Sequence, residues 1–208
     1  MGTRNLTMVI SEGKTKIAQY GQWDGYPSGQ GATALTFLRK IDHAAFKKRL
    51  KSVSFFTKEE IDKIADEDKT TNGRASERIY AEKPWLSRDL GADILNAVGF
   101  GIYGKDSDNK KGIKCVVDKL IDSSNFAADS LFCEWAYVID LDKKTFEIYN
   151  GFNQTPLNKN ERFFGLEQEG KHKTDYEPVG LLKSYSLRKL PTVNKFLKDL
   201  KPKEEDED

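Results

Sequence analysis

Leu6, Met8 and Ile10 interleave with Thr7, Val9 and Ser11, and Ile17, Ala18 and Tyr20 follow a turn at Ser11-Glu12-Gly13-Lys14. A period of two around a glycine turn predicts a β-hairpin at the very start of the chain. A second hairpin is predicted where the aromatic, β-branched runs Cys133–Asp140 and Thr145–Asn150 flank the turn Leu141–Lys144. Val179 to Leu187 reads as a later strand and Gly112 to Asp118 as another candidate. Between the hairpins the apolar spacing turns helical. Ala32–Lys40 places Leu35 and Leu38 on one face, and Asp42 caps a helix carrying Phe46 and Leu50. Thr57 and Glu60 form a capping box, each able to satisfy an orphan backbone donor, ahead of Ile61 and Ile64. Ser87 or Arg88 to Val98 predicts a helix burying Leu90, Ile94 and Leu95, stopped at Gly99-Phe100-Gly101. Pro191 suits the first turn of a last helix, with Val193, Phe196, Leu197 and Leu200 on its apolar side.

The remaining segments read as connections. Gly21–Gly31 and Asp66–Arg74 are expected loops, Asp106–Lys111 a charged surface turn, and Lys203–Asp208 an acidic disordered tail. The expected architecture is one α+β domain over residues 1–202. At 208 residues, with twelve Phe, eight Tyr and three Trp, the chain can fill a sizeable core. Its 34 Lys plus Arg against 33 Asp plus Glu argue against a broad nucleic-acid footprint, which needs a basic excess or a basic face. Lys47-Lys48-Arg49 with Lys51 reads as a solvated helix face. No apolar run approaches the ~18 residues of a membrane span, and no apolar signal segment follows Met1. A cytoplasmic protein without membrane contact is expected, with Cys115 and Cys133 as reduced thiols. His43 and His172, the two histidines, read as solvated residues, and four well-spaced zinc ligands are absent. No cofactor is expected.

Candidate chemistry gathers at the N-terminus. Termini fray unless tied into a sheet, so a hairpin beginning at Thr3-Arg4-Asn5 implies a terminus built into the fold. It runs straight into Trp23-Asp24-Gly25-Tyr26-Pro27-Ser28-Gly29-Gln30-Gly31. This segment matches neither a Walker loop nor a dinucleotide fingerprint. It reads either as a ligand-accepting loop walled by Trp23 and Tyr26, with Gln30 at hand, or as a tight turn packed under two aromatics. An anion at the N-terminus of the helix opening at Ala32 is compatible with the pattern. Thr3, Arg4, Asn5 and Asp24 are expected near one another, with the Asp24 carboxylate accepting from Arg4, from backbone amides or from the terminal ammonium. Glu134 is either an acid facing a cleft or an exposed edge residue, and Asn150 is a second polar position of that hairpin. Asn5 and Asn153 are candidate oxyanion donors, although asparagines near turns usually bond local backbone.

The segment from Thr3 to Gln22, strand, Glu-Gly turn, strand, Gly-Gln, resembles the opening hairpin of N-terminal-nucleophile (Ntn) hydrolases. The ending at Gln22-Trp23-Asp24 is similar to the choloylglycine-hydrolase and penicillin-acylase branch, and Cys133–Asn150 to a later hairpin of such domains. The resemblance implies an Ntn-hydrolase-like layered α/β sandwich with antiparallel hairpins. It also implies a threonine nucleophile at Thr3 once Gly2 is lost, whose own α-amine serves as base, with Arg4 and Asp24 orienting it. Gly2 stands where that branch has its cysteine, no arginine lies within Ala18–Gln22, and Lys40 is the stand-in for the lysine of threonine-type members. A closer resemblance is to uncharacterised proteins of phages, bacteria and fungi. These open with Gly-Thr-Arg-Asn/Gly-Leu and carry a Trp-Asp-Gly/Ser-Tyr-Pro-x-Gly-x-Gly loop and a Tyr-Val-Ile-Asp-Leu-Asp hairpin, here Gly2–Leu6, Trp23–Gly31 and Tyr137–Asp142. It implies no particular activity.

The resulting expectation is a binding protein on an Ntn-hydrolase-like scaffold, phage-encoded and acting on a host protein, or holding a small-molecule ligand through residues 21–31. The alternative expectation is an amide-bond hydrolase using Thr3.

Overall fold

The computed structural model describes residues 2–104, 112–169 and 173–201. Strands β1 (Asn5–Ser11) and β2 (Lys14–Gly21) form the first hairpin, with Ser11 paired to Lys14. Glu12 and Gly13 both take positive φ, 58° and 68°. That two-residue turn has the twist that matches paired strands. β7 (Trp135–Asp140) and β8 (Thr145–Asn150) form the second hairpin, and β9 (Gly180–Ser186) adds to β8. The five strands make one sheet in the order β2-β1-β7-β8-β9. Only the β1–β7 pair is parallel, Asn5 opposite Trp135 through Ile10 opposite Asp140. The N-terminal strand is therefore interior to the sheet, held between its own hairpin partner and a strand from far along the chain.

Strand alternation divides the core in two. Val9, Ile17, Tyr137, Ile139, Phe146 and Ile148 pack on one face against helices α1 (Ala32–Lys40), α2 (His43–Arg49), α5 (Ile94–Phe100) and α6 (Val193–Asp199). Leu6, Met8, Ala18, Ala136, Val138 and Tyr149 face the other way, under Ala127, Phe163 and Val179. That second layer is coil and a short 3₁₀ segment at Ser124–Ala128, fastened to the sheet by Arg162. Helices α3 (Lys58–Thr71) and α4 (Arg74–Glu82) form a hairpin at the side. Two-residue ribbons complete the fold: β3 (Ser54–Phe55) parallel to β6 (Lys119–Leu120), and β4 (Ile102–Tyr103) antiparallel to β5 (Ile113–Lys114).

Both main hairpins, the β9 strand, α1, the Asp42 cap and the Thr57 capping box stand where the sequence puts them. Several boundaries do not. Asp66–Arg74 is not a loop: α3 continues to Thr71, and only left-handed Asn72 and Gly73 separate it from α4. Lys58–Asp62 and Lys69–Asp66 pairs run along α3, Glu67 pairs with Arg78, and the Asp68 carboxylate accepts from the Ser76 amide and hydroxyl. Such contacts let a polar segment stay helical although α3 buries no residue. The helix expected from residue 87 starts only at Ile94, after 3₁₀ turns at Pro84–Leu86 and Gly91–Asp93, because Gly91 sits at φ 52°. The 112–118 strand shrinks to Ile113–Lys114. Thr192, whose hydroxyl accepts from the Lys195 amide, caps α6, so Pro191 lies outside the helix. The Gly21–Gly31 loop ends early, since Pro27–Gly31 is already a helical turn running into α1. The Asp106–Lys111 turn, His172 and the 203–208 tail lie outside the described residues.

Candidate functional site

The segment after β2 is strapped to the end of the sheet by its backbone. The Gly25 amide donates to Thr3 O at 2.9 Å and the Gln30 amide to Asp24 O at 2.9 Å. The buried Tyr137 hydroxyl donates to Gly25 O at 2.7 Å. Gln30 works as a spacer: its Nε2 donates to Trp23 O at 3.2 Å and its Oε1 accepts from the Ala92 amide at 2.7 Å. Two glycines are dictated by close approach. A Cβ on Gly25 would lie 2.7 Å from Thr3 O, and one on Gly31 would lie 2.8 Å from Tyr137 Cε1. The motif's spacing thus serves packing. On this hydrogen-bonded support Trp23 and Tyr26 are 48% and 56% exposed.

The expected cluster forms, but through backbone rather than carboxylate. Thr3 is 6% exposed and lies against Gly25. Asp24 is an exposed residue at φ 53°, and its side chain accepts no hydrogen bond among the described residues, so the expected pairing with Arg4 does not occur. Its left-handed backbone is one that Asn, Asp and Gly tolerate best. Arg4 instead donates its amide to Glu134 Oε1 at 3.1 Å and lays its guanidinium 4.7 Å over the Phe132 ring. Glu134 is half-buried, and its Oε1 is taken by the Arg4 amide. Asn5 is fully buried. Its Nδ2 donates to Gly21 O at 3.3 Å and Trp23 O at 3.4 Å, and its Oδ1 has no partner among the described residues. Asn150 is exposed and bonds its neighbour Gly151 O. Asn153 Nδ2 donates to the Pro178 carbonyl and its Oδ1 accepts from the Thr155 amide, the local backbone bonding usual for an asparagine near a turn. Lys40 ends α1 and is exposed. In the basic run Lys47 and Lys51 pair with Asp142 and Glu12, and His43 Nε2 lies 3.2 Å from Leu38 O.

What sequence reasoning missed is a pair of clefts along the outer edge of β2. The first, of about 580 Å³, is bounded by Gln19, Tyr20, Ser87, Arg88, Asp89 and Ser123. The second, of about 520 Å³, is bounded by Arg4, Tyr20, Ser123, Phe126, Asp129 and Phe132. They share Tyr20 and Ser123. The reason lies in how the edge is covered. The Gln22 amide donates to Arg88 O at 2.9 Å, and the Ser123 amide donates to Ala18 O at 3.0 Å. Tyr20 falls between these two straps. Its ring stands edge-on to Phe126 at 4.8 Å and its hydroxyl donates to Gln22 Oε1 at 2.6 Å. Burial pushes the Tyr20 phenol up, against the opposing pull of the positive charges of Arg4 and Arg88. Trp23 Nε1 donates to Asp89 Oδ1 at 2.9 Å, which joins the aromatic platform to the first cleft.

Three carboxylates beside the clefts are taken by neutral donors, while Glu169, which lines the Arg4 cleft, accepts no hydrogen bond among the described residues. Asp89 serves the Trp23 indole, Asp129 the Leu131 amide and Thr174 hydroxyl, and Glu134 the Arg4 amide. Neither Arg4 nor Arg88 forms an ion pair among the described residues. No group of three or more His, Cys, Asp and Glu placed to hold a metal ion occurs among them either. Both cysteines are free, Cys133 buried with its thiol pushed up by burial and by the nearby Asp129 and Glu134 charges. No described helix is long and apolar enough to cross a membrane. Comparison with protein-family models, with curated proteins and with solved structures finds no match.

Proposed function

We propose that the protein is a binding protein whose site is the pair of clefts meeting at Tyr20, with the Trp23–Tyr26 platform as its rim. One observation carries this reading: both clefts open on the same tyrosine, and each brings to it an arginine without an ion pair. Their volumes fall in the ~300–1,000 Å³ range of small-molecule sites. The exposed Trp23 and Tyr26 beside them also suit a protein partner, and a host factor of a phage-encoded protein is the partner that the motif resemblance suggests. An N-terminal strand held inside a layered sheet supports an Ntn-hydrolase-like scaffold. Amide-resolved titration with a set of small fragments tests the site. Shifts concentrated on Tyr20, Arg88 and Ser123 are expected, and shifts confined to other faces would remove the clefts from consideration.

The second reading, an amide hydrolase, draws support from Thr3. It stands two residues before the interior strand β1, and its hydroxyl makes no hydrogen bond among the described residues. Gly2, however, packs against the Trp23 ring, where it closes off the threonine amine. Intact mass decides: Gly2 retained on every chain from the native host ends the nucleophile assignment.

A further inference from the structure

We infer that the groove between the α3–α4 hairpin and the body of the domain binds an apolar primary amine, its ammonium against Asp68 and its hydrocarbon part among Ile64, Ile79 and Leu86. This groove adjoins the first cleft at Tyr80, Leu86 and Ile121, but Tyr20 is not among its lining residues. Its origin is the spacing along α3. Ile61, Ile64, Ala65 and Asp68 recur at i, i+3, i+4 and i+7, which sets them on one stripe of the helix. Such a stripe ordinarily closes onto a core, yet α3 buries no residue. The stripe instead faces Phe56, Ile79, Leu86 and Ile121 across an open groove of about 240 Å³. An apolar cavity of ~150 Å³ takes up benzene, so this groove has room for one ring with a short arm.

The charge of the ligand follows from Asp68, the one charged residue lining the groove among the described residues. Glu60, Asp62, Asp66 and Glu67 of the same helix each hold a cation: Lys119, Lys58, Lys69 and Arg78. Asp68 is partly buried and forms no ion pair among the described residues. It accepts the Ser76 hydroxyl and, at 3.0 Å, the Ser76 amide, and these bonds hold its carboxyl below the ordinary 3.8. The group is therefore ionised at neutral pH. A carboxylate has about four acceptor positions, so capacity for an ammonium remains beside the apolar wall. Mostly apolar walls with a few placed polar groups are the make-up of a small-molecule site. A lone negative charge at such a wall attracts a cationic ligand and repels an anionic one.

The experiment follows backbone amide signals by NMR at neutral pH while phenethylamine, phenethyl alcohol, phenylpropanoate and ethylamine are added separately. Phenethylamine is expected to shift Ile64, Asp68, Ser76 and Ile79, and to bind more tightly than the other three. Asp68→Asn keeps an acceptor for Ser76 and removes the charge. It is expected to weaken phenethylamine about tenfold, the loss of one charge-assisted hydrogen bond, and to leave phenethyl alcohol unchanged. Glu59→Gln, at an exposed α3 acid outside the groove, is expected to change neither. Phenethyl alcohol or phenylpropanoate binding the unaltered protein as tightly as phenethylamine would overturn the amine assignment, whatever Asp68→Asn does to the hairpin. An Asp68→Asn protein that binds phenethylamine undiminished would overturn it as well. Ethylamine matching phenethylamine would reduce the contact to a surface ion pair and overturn the inference. Shifts gathered at Tyr20 and Arg88 would overturn it while supporting the clefts, and no shift along the groove with any probe would overturn it outright.

Discussion

The guanidinium of Arg162 grips both carboxylate oxygens of Glu147, Nε at 2.8 Å and Nη2 at 3.0 Å. Nη2 also reaches Asp140 Oδ2 at 2.8 Å, and Glu147 accepts the Thr145 and Tyr149 hydroxyls as well. This contact pins the coil layer to β7 and β8. The side chains of Arg162, Asp140 and Glu147 are only 14%, 3% and 10% exposed, so solvent screens them little. Arg162→Met strands two buried carboxylates and is expected to cost about 3–5 kcal/mol in urea unfolding at neutral pH. A loss below about 1 kcal/mol would show that the pair behaves as a surface contact.

The same cluster sets an acid dependence. Burial raises the Glu147 carboxyl, but hydrogen bonds from Arg162, Tyr149 and Thr145 outweigh it and hold the group below its ordinary 4.5. A depressed folded value contributes stability that is complete above 4.5 and lost as pH falls through the folded value. Arg162→Met removes most of that depression. Thermal melts of the two proteins are therefore expected to differ most at neutral pH and to converge as pH drops below 4.5. A gap independent of pH would assign the loss to packing alone.

Tyr137 holds the loop through one hydroxyl. Tyr137→Phe leaves the Gly25 carbonyl without its partner at 2.7 Å. The expected cost is about 1–3 kcal/mol, with faster amide exchange at Gly25 and Gln30 and no change in α6. Uniform acceleration throughout the chain would mean that the bond stabilises the whole fold rather than the loop.

Thr7 is fully buried and its Oγ1 has no hydrogen-bond partner among the described residues. A desolvated, unpaired hydroxyl costs free energy that valine, of the same shape, avoids. Thr7→Val is expected to raise the melting temperature. A lower one would reveal that the hydroxyl is satisfied, for instance by an enclosed water.

Asp24 carries the reverse expectation from the one its sequence neighbourhood suggests. Because it is exposed, unpaired and left-handed, Asp24→Asn is expected to change stability by less than about 0.5 kcal/mol. Asp24→Val, a β-branched residue at φ 53°, is expected to destabilise clearly. A large effect of the asparagine would restore a charged contact for Asp24.

Local signals were legible where neighbours in sequence decide the outcome. Alternation and the Glu12-Gly13 turn specify the first hairpin, Thr57 and Glu60 satisfy each other's backbone, and Asp42 caps two amides beside it. The Gly25 and Gly31 spacing marked a constrained segment, and the nearness of residues 3–4 to 24–25 could be anticipated from a hairpin alone. The parallel pairing of β1 with β7 could not, because it joins residues about 130 apart with no turn between them. Nor could the clefts. Tyr20 reads as an ordinary strand residue and Arg88 as the start of a helix. They line one cleft because residues 88 and 123 strap the β2 edge on either side of Tyr20. The sequence by itself determined the hairpins, the caps and the helical faces, since each is fixed by hydrogen bonds and periodicity within a few residues. The tertiary structure alone decided that Arg4 stacks on Phe132 and that Arg162 joins Asp140 to Glu147. It also decided that Asp89 and Asp129 are spent on neutral donors, because burial and charge pairing depend on segments that meet only when the sheet closes.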